Sequence, residues 1–267
     1  MKTRIFAAIL AVLMLISSFG ALAAEDADAS TETDESTLPV EQPEAEGQDV
    51  PVDEPEPSEK PTDEPTDIGS TEAVPPEFGH CSAWAEAELI DAQQQGLFPA
   101  VFAGADMTQP ITRVEFAAIA VKLYEKMSGK TATASGAGTF SDTSDVDVLK
   151  CHALGIVNGM EDGDFHPNEK ICRQDAATML VRAYKAAYWA GWTLTNDASY
   201  TANTLDYGDV ELYADHGWIK QYAYTAVYFL TKRGAVKGLG DGKFGPDGYC
   251  TREQAVAMAL RFMYSGK

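Results

Sequence analysis

Beyond its first two dozen residues the chain has no long apolar run, which leaves no candidate membrane helix there. It has no C-x-x-C pair, no H-E-x-x-H, no G-x-S-x-G and no phosphate-binding glycine loop. Zinc sites, nucleophile elbows and nucleotide pockets therefore have no support in the sequence. The histidines, His80, His152, His166 and His216, share no metal-ligand spacing, so we expect no metal and no cofactor. Basic residues are scarce, 20 Lys and Arg against 41 Asp and Glu, which removes the cationic surface that nucleic acid requires. Acids are plentiful, but nothing sets two of them at the separation glycoside hydrolysis needs. We expect no enzyme, and a wall-acting hydrolase is the weakest reading.

What is present begins with an export signal. Lys2 and Arg4 precede an apolar run, Phe6–Ile16, and Ala21-Leu22-Ala23 fits a small-x-small cleavage site, so 1–23 is expected to be a signal peptide. From 24 to 76 the composition turns to Glu, Asp, Pro, Thr and Ser. Glu25–Pro76 holds eighteen acids against Lys60, so most of the −21 formal charge sits there and the remainder is only mildly acidic. Such a stretch buries too little apolar surface to offset chain entropy, and we expect a disordered spacer reaching up to roughly 3 Å per residue. The composition from 77 onward is globular.

Within that part the chain repeats itself. Gly159–Pro167 (GMEDGDFHP) aligns with Gly238–Pro246 (GLGDGKFGP), pairing Asp162 with Asp241, Gly163 with Gly242, Phe165 with Phe244 and Pro167 with Pro246. Arg173 then meets Arg252 at the same distance. A weaker copy, Gln95–Tyr124, supplies Arg113 but lacks the Asp-Gly turn. Each copy reads helix, loop, helix. First helices are expected near Ala83–Gln95, Asp147–Leu154 and Lys220–Arg233, each stopping at a glycine. The second helices open on T-x-x-E/Q capping boxes at Thr112 and Thr251, with Cys172 a weaker cap in the middle copy. Phe116, Ile119, Leu123, then Leu180, Tyr184, then Val256, Leu260 mark their buried faces. One helix pair cannot close a core, and three can share one. The fold expected is all-α: three helix-loop-helix repeats at 77–130, 139–188 and 205–267 in a pseudo-threefold bundle, with Thr131–Thr139 a linker and Trp189–Asp215 unassigned.

The Asp-Gly turns raise calcium. Alternate ligand positions after Asp162 are Asp164 and His166, and in the sister copy Lys243 and Gly245, so ligation fails twice. The turns are read as structural: Asp162 and Asp241 cap, Phe165 and Phe244 plug the core, Pro167 and Pro246 end the turn. A calcium-dependent protein-docking module is kept as the rival.

These residues resemble the S-layer homology family. The features are Phe140-Ser141-Asp142 and Tyr207-Gly208-Asp209, helix openings at Trp84-Ala85 and Tyr222-Ala223, the Asp-Gly-x-Phe-x-Pro turns, and Ile111-Thr112-Arg113 with Glu115. The resemblance implies an α-helical pseudo-trimer that anchors an exported protein at the wall of a Gram-positive-type cell. It implies no catalysis and a secondary cell-wall polysaccharide, often pyruvylated, bound in grooves between repeats with the Thr-Arg motif beside it. Other envelope proteins are further partners. Arg113, Arg173 and Arg252 each stand in a first helical turn, where a guanidinium and free N–H groups favour a carboxylate. Trp84 and Tyr222 suit a sugar ring, and Gly159, Gly163, Gly238 and Gly242 a close backbone approach. Internal ion pairs with acids of a neighbouring repeat are the second reading of these arginines, and the two aromatics suit the core at least as well. Of the arginines, Arg252 and Arg113 are the strongest candidates.

Four cysteines in an exported chain permit two disulfides. Cys151–Cys172 and Cys81–Cys250 are the expected pairs, although Cys250 stands where Ile111 and Ile171 stand and equally suits a small core residue.

Overall fold

The structure, a computed structural model, describes residues 76–266. The expected signal peptide, and the spacer except for Pro76, lie outside the described residues. Six α-helices follow in order: α1 (Glu86–Gln94), α2 (Arg113–Ser128), α3 (Val146–Ala153), α4 (Arg173–Tyr188), α5 (Gln221–Lys232) and α6 (Arg252–Ser265). Short 3-10 turns form at Ala100–Phe102, Leu194–Ser199 and His216–Trp218. The described residues contain isolated β-bridges and no strand. No helix among them is long and apolar enough to cross a membrane.

Helix ends follow the local chemistry. Thr112 and Thr251 close full capping boxes with Glu115 and Gln254, whereas Cys172 makes no cap bond. Its thiol donates to Asp175 Oδ2 at 3.1 Å instead. The first helices end as Gly96, Gly155 and Gly234 take φ of 65°, 71° and 66°, a region in which a Cβ is strained.

Three residues close the bundle. The Ile111 amide donates to the Cys250 carbonyl (2.9 Å), Cys250 to Ile171 (3.1 Å), and Ile171 back to Ile111 (3.1 Å). Bridges Pro110–Thr251, Thr112–Lys170 and Cys172–Tyr249 flank this ring. The side chains of all three are buried. Helix packing follows the same cycle. Each first helix lies on the second helix of the repeat before it: α3 on α2, α5 on α4, and α1 on α6. Helix α2 also packs on α4 and α6. No repeat completes its own core.

The ring also occupies the second helices' N-termini. Arg113 N donates to Glu169 O, Arg173 N to Gly248 O and Arg252 N to Gln109 O. The next amides donate to Pro167, Pro246 and Met107 carbonyls. The prolines thus present acceptors to a neighbouring helix as well as ending their turns. The expected free N–H groups are not free, and these helix ends offer no anion site of their own.

Three further expectations change. The aromatic-x-Asp element of the last repeat is Tyr213-Ala214-Asp215, not Tyr207–Asp209: Tyr213 packs on Phe244 at 5.5 Å, as Phe140 packs on Phe165 at 5.5 Å. The 131–139 segment is not a loose linker, since Ala132 is buried and Ser135 N donates to Leu149 O. Neither expected disulfide forms, and all four cysteines are free thiols. Cys250 sits in the ring as the core counterpart of the two isoleucines, and Cys151 donates to Ala117 O. Burial pushes the Cys250 thiol up to about 12, and that of Cys172 likewise to about 12 with help from Asp175, so both stay protonated.

Removing volume from the ring should loosen all three repeats together. Ile111→Ala is expected to cost roughly 2–5 kcal/mol. A single, unsplit unfolding transition at lower temperature in calorimetry would show it. Two separated transitions would contradict the shared core.

Candidate functional site

Three inter-repeat grooves follow from the pseudo-symmetry, and they are not equal. Groove 1 collects Arg113 from the first repeat, the Ile156–Met160 loop and Asp175, Thr178, Met179 and Arg182 from the second, and Tyr222 from the third; it encloses about 300 Å³. Groove 2 repeats the arrangement one step on, with Arg173, Lys237–Leu239, Gln254, Ala257, Met258, Arg261 and Trp84, in about 190 Å³. At the third position Arg252 pairs with Glu115, and Thr143 stands as far before Gly155 as Trp84 does before Gly96 and Tyr222 before Gly234.

The arginines have separate fates. Arg173 is 5 % exposed; its Nε donates to Phe244 O (2.9 Å) and one terminal nitrogen to Lys237 O (3.1 Å), while the guanidinium lies over the Phe244 ring. Arg252, one of the two strongest sequence candidates, is locked: Nε and Nη2 reach Glu115 Oε1 at 3.1 and 2.6 Å, and Nη1 reaches Asp106 O. The cause is the first repeat's missing Asp-Gly-x-Phe turn. Where Arg113 and Arg173 bond a phenylalanine carbonyl, Arg252 has none and turns to the capping-box acid. Arg113 donates from Nε to Phe165 O at 2.8 Å and lies over that ring. Among the described residues its two terminal nitrogens make no hydrogen bond or ion pair. Burial pulls this guanidinium's pKa down, and the charges of Asp175, Glu169 and Asp142 oppose the shift.

The aromatics are in the grooves, not the core. Trp84 is 48 % and Tyr222 57 % exposed, while the adjoining Ala85 and Ala223 are buried. Tyr222 donates its hydroxyl to Asp175 Oδ1 at 2.5 Å. Burial and then this bond push the phenol's pKa well up. Of the glycines, Gly159 and Gly238 line grooves 1 and 2, and Gly163 and Gly242 line neither. A Cβ on Gly238 would lie 2.8 Å from the Lys243 carbonyl, so that glycine serves its own turn first.

Sequence reasoning missed the second cation of each groove. Arg182 and Arg261 follow their motif arginines by nine residues, as Lys122 follows Arg113, and that shared offset is the legible signal. Arg182 donates to Ile156 O, and Arg261 pairs with Glu88 at 2.6 Å.

The Asp-Gly turns carry the loops to the grooves. Asp142 accepts the Phe165 and His166 amides (3.0 and 2.7 Å), and Asp215 accepts the Phe244 and Gly245 amides (both 2.8 Å). Phe165 and Phe244 are fully buried beneath. Asp162 Oδ1 accepts the Asp164 amide and Oδ2 faces His166. Among the described residues no group of three or more His, Cys, Asp or Glu is placed to hold a metal ion.

Fold and grooves together define a pseudo-threefold, all-α module with arginines in its grooves between repeats. A family model described as the S-layer homology domain matches residues 139–177 and 219–256, so these two segments are S-layer homology domains. The chain is 30% identical over 118 residues to "Endoglucanase" from Bacillus sp. (strain KSM-635), which covers 44% of this chain and 11% of that protein. It is 32% identical over 108 residues to "Cell surface glycoprotein 1" from Acetivibrio thermocellus, covering 40% of this chain and 4% of that protein. The chain therefore spans a small fraction of these much longer relatives.

Amide bonds hold the Asp142 carboxyl below its ordinary value of 3.8, those of Phe165 and His166 among them. Burial pulls Asp215 upward, but the Phe244 and Gly245 amides outweigh it and its value is also lowered. A carboxylate with a depressed folded value adds stability above its unfolded value and loses it as pH falls through the folded one. The melting temperature should therefore drop as pH falls below about 4. The double variant Asp142→Asn, Asp215→Asn should start lower and show a flatter acid limb. An unchanged acid limb would contradict the assignment.

Proposed function

We propose that this module holds its protein non-covalently at the cell wall by binding an anionic wall polysaccharide, with groove 1 as the working site. S-layer homology domains generally anchor proteins to the wall, and the name of the Acetivibrio relative fits a cell-surface setting. The observation that carries the reading is the state of Arg113. It has two unused terminal nitrogens in a cleft that also holds Arg182 and the exposed ring of Tyr222. A guanidinium fork pairs two parallel N–H groups with a carboxylate, such as a pyruvyl ketal would present. Tyr222, held by Asp175, offers a fixed aromatic face to a pyranose ring. The arrangement suits binding, and the reading assigns it no bond-breaking step. Groove 2 is a weaker second site, because its arginine already serves two carbonyls. The third position is self-occupied.

Sedimentation on purified walls tests this. Arg113→Ala should lower retention at least about tenfold, the loss expected for one charge-assisted fork, with helicity unchanged. Arg252→Ala should cost thermal stability and leave wall binding near the wild-type level. Walls stripped of their non-peptidoglycan polymer should retain neither. Wild-type retention of Arg113→Ala would refute the assignment of groove 1.

A further inference from the structure

Groove 1 holds the only Asn-Gly pair in the sequence, Asn158-Gly159. The sister loop has Lys237-Gly238 at the same place. Packing demands the glycine: a Cβ on Gly159 would lie 3.2 Å from the Gly163 carbonyl oxygen and 3.2 Å from the Phe140 ring. Nothing ties down the asparagine. Asn158 is exposed, and neither its side-chain amide nor the Gly159 N–H makes a hydrogen bond among the described residues.

An asparagine in this state is open to attack by its own backbone. The Gly159 amide nitrogen, its proton lost to solvent base, adds to the Asn158 side-chain carbonyl carbon. The new C–N bond closes a five-membered imide as the bond to the side-chain nitrogen breaks and ammonia leaves. Water then opens the imide at one of its two carbonyls, giving aspartate or isoaspartate. One water is consumed and one ammonia released, with no oxidant or reductant. A following glycine has no side chain to obstruct the ring closure. The other three asparagines lack that neighbour: Asn168 precedes Glu169, Asn196 precedes Asp197 and Asn203 precedes Thr204. Asn196 and Asn203 are also held by their side-chain amides, which donate to the Gly191 carbonyl at 2.9 Å and the Tyr200 hydroxyl at 3.2 Å.

The product carries a negative charge into a groove lined by Arg113, Arg182 and Asp175. Position 158 stands where Lys237 stands in groove 2, and there the Lys237 carbonyl lies 3.1 Å from an Arg173 terminal nitrogen. The new carboxylate therefore arises beside the unused Arg113 nitrogens. We propose that Asn158 is a spontaneous modification site, and that its deamidation is a one-way switch that closes groove 1 to anions. The carboxylate occupies Arg113 from within, as Glu115 already occupies Arg252. The isoaspartate form also adds a backbone carbon against the close contacts of Gly159. The consequence for binding rests on the reading of groove 1, whereas the modification itself does not.

The test ages the full chain in mildly alkaline buffer and maps its peptides by mass spectrometry at intervals. Asn158 should be largely converted to aspartate and isoaspartate while Asn168, equally exposed, stays intact. In wall sedimentation the aged chain should lose retention in step with that conversion. Asn158→Asp should show the loss without ageing, by roughly tenfold, the value of one charge-assisted fork. Asn158→Gln, whose longer side chain would have to close a larger ring, should keep its retention through the same ageing. Survival of Asn158 for as long as Asn168 overturns the modification site. Conversion without loss of retention, in a chain whose Arg113→Ala variant does lose it, overturns the switch, as does wild-type retention of Asn158→Asp beside that same variant. Wild-type retention of Arg113→Ala would instead bring down the reading of groove 1 and leave the peptide map standing.

Discussion

Everything in this module depends on a closed ring of three backbone hydrogen bonds. Ile111, Cys250 and Ile171 each donate to the next, so the chain that enters every second helix is held by another repeat. The ring also fixes where those helices begin, and therefore where the three arginines stand. Its neighbouring bonds use the first helical amides, which in an isolated helix would be open to an anion. The anion recognition we propose is thereby left to side chains. A buried backbone group without a partner is costly, so the ring resists local opening and makes the repeats one cooperative body.

Symmetry of backbone does not give symmetry of chemistry. The three arginines start from equivalent places and end differently because their neighbours differ by a few residues. In the first two repeats the next repeat supplies a phenylalanine carbonyl and a ring, which hold the guanidinium from one edge. Arg173 goes on to reach a second carbonyl, and Arg113 does not. The first repeat lacks the Asp-Gly-x-Phe turn, and Arg252 is held there by Glu115 and the Asp106 carbonyl instead. One missing turn thus changes the partners of a motif arginine while the helix bundle stays whole.

Much of this was legible in the sequence. Repeat spacing, capping boxes and terminal glycines gave the helices to within a few residues, because each depends on local chemistry. The all-α class and the core faces of α2, α4 and α6 followed from periodicity. What the sequence hid was anything settled between repeats. It could not show that Glu115 reaches Arg252 across 137 positions, or that proline carbonyls consume the helix-end amides. Tyr213–Asp215 and Tyr207–Asp209 both spell aromatic-x-Asp, and only packing on Phe244 separates them. The 189–200 segment had no sister copy to compare with, so its 3-10 turn left no periodic trace. By sequence Cys250 suits either a disulfide or the core, and its place in the ring decides for the core.

The central claim is that one arginine of three is free to meet the wall polymer. Side-chain nitrogen–proton spectra of the arginines, followed while purified polysaccharide fragments are added, test it most directly. The account expects the Arg113 signals to move on binding and those of Arg173 and Arg252 to stay in place. Movement of Arg252 as its contact with Glu115 breaks, with Arg113 unmoved, would contradict it.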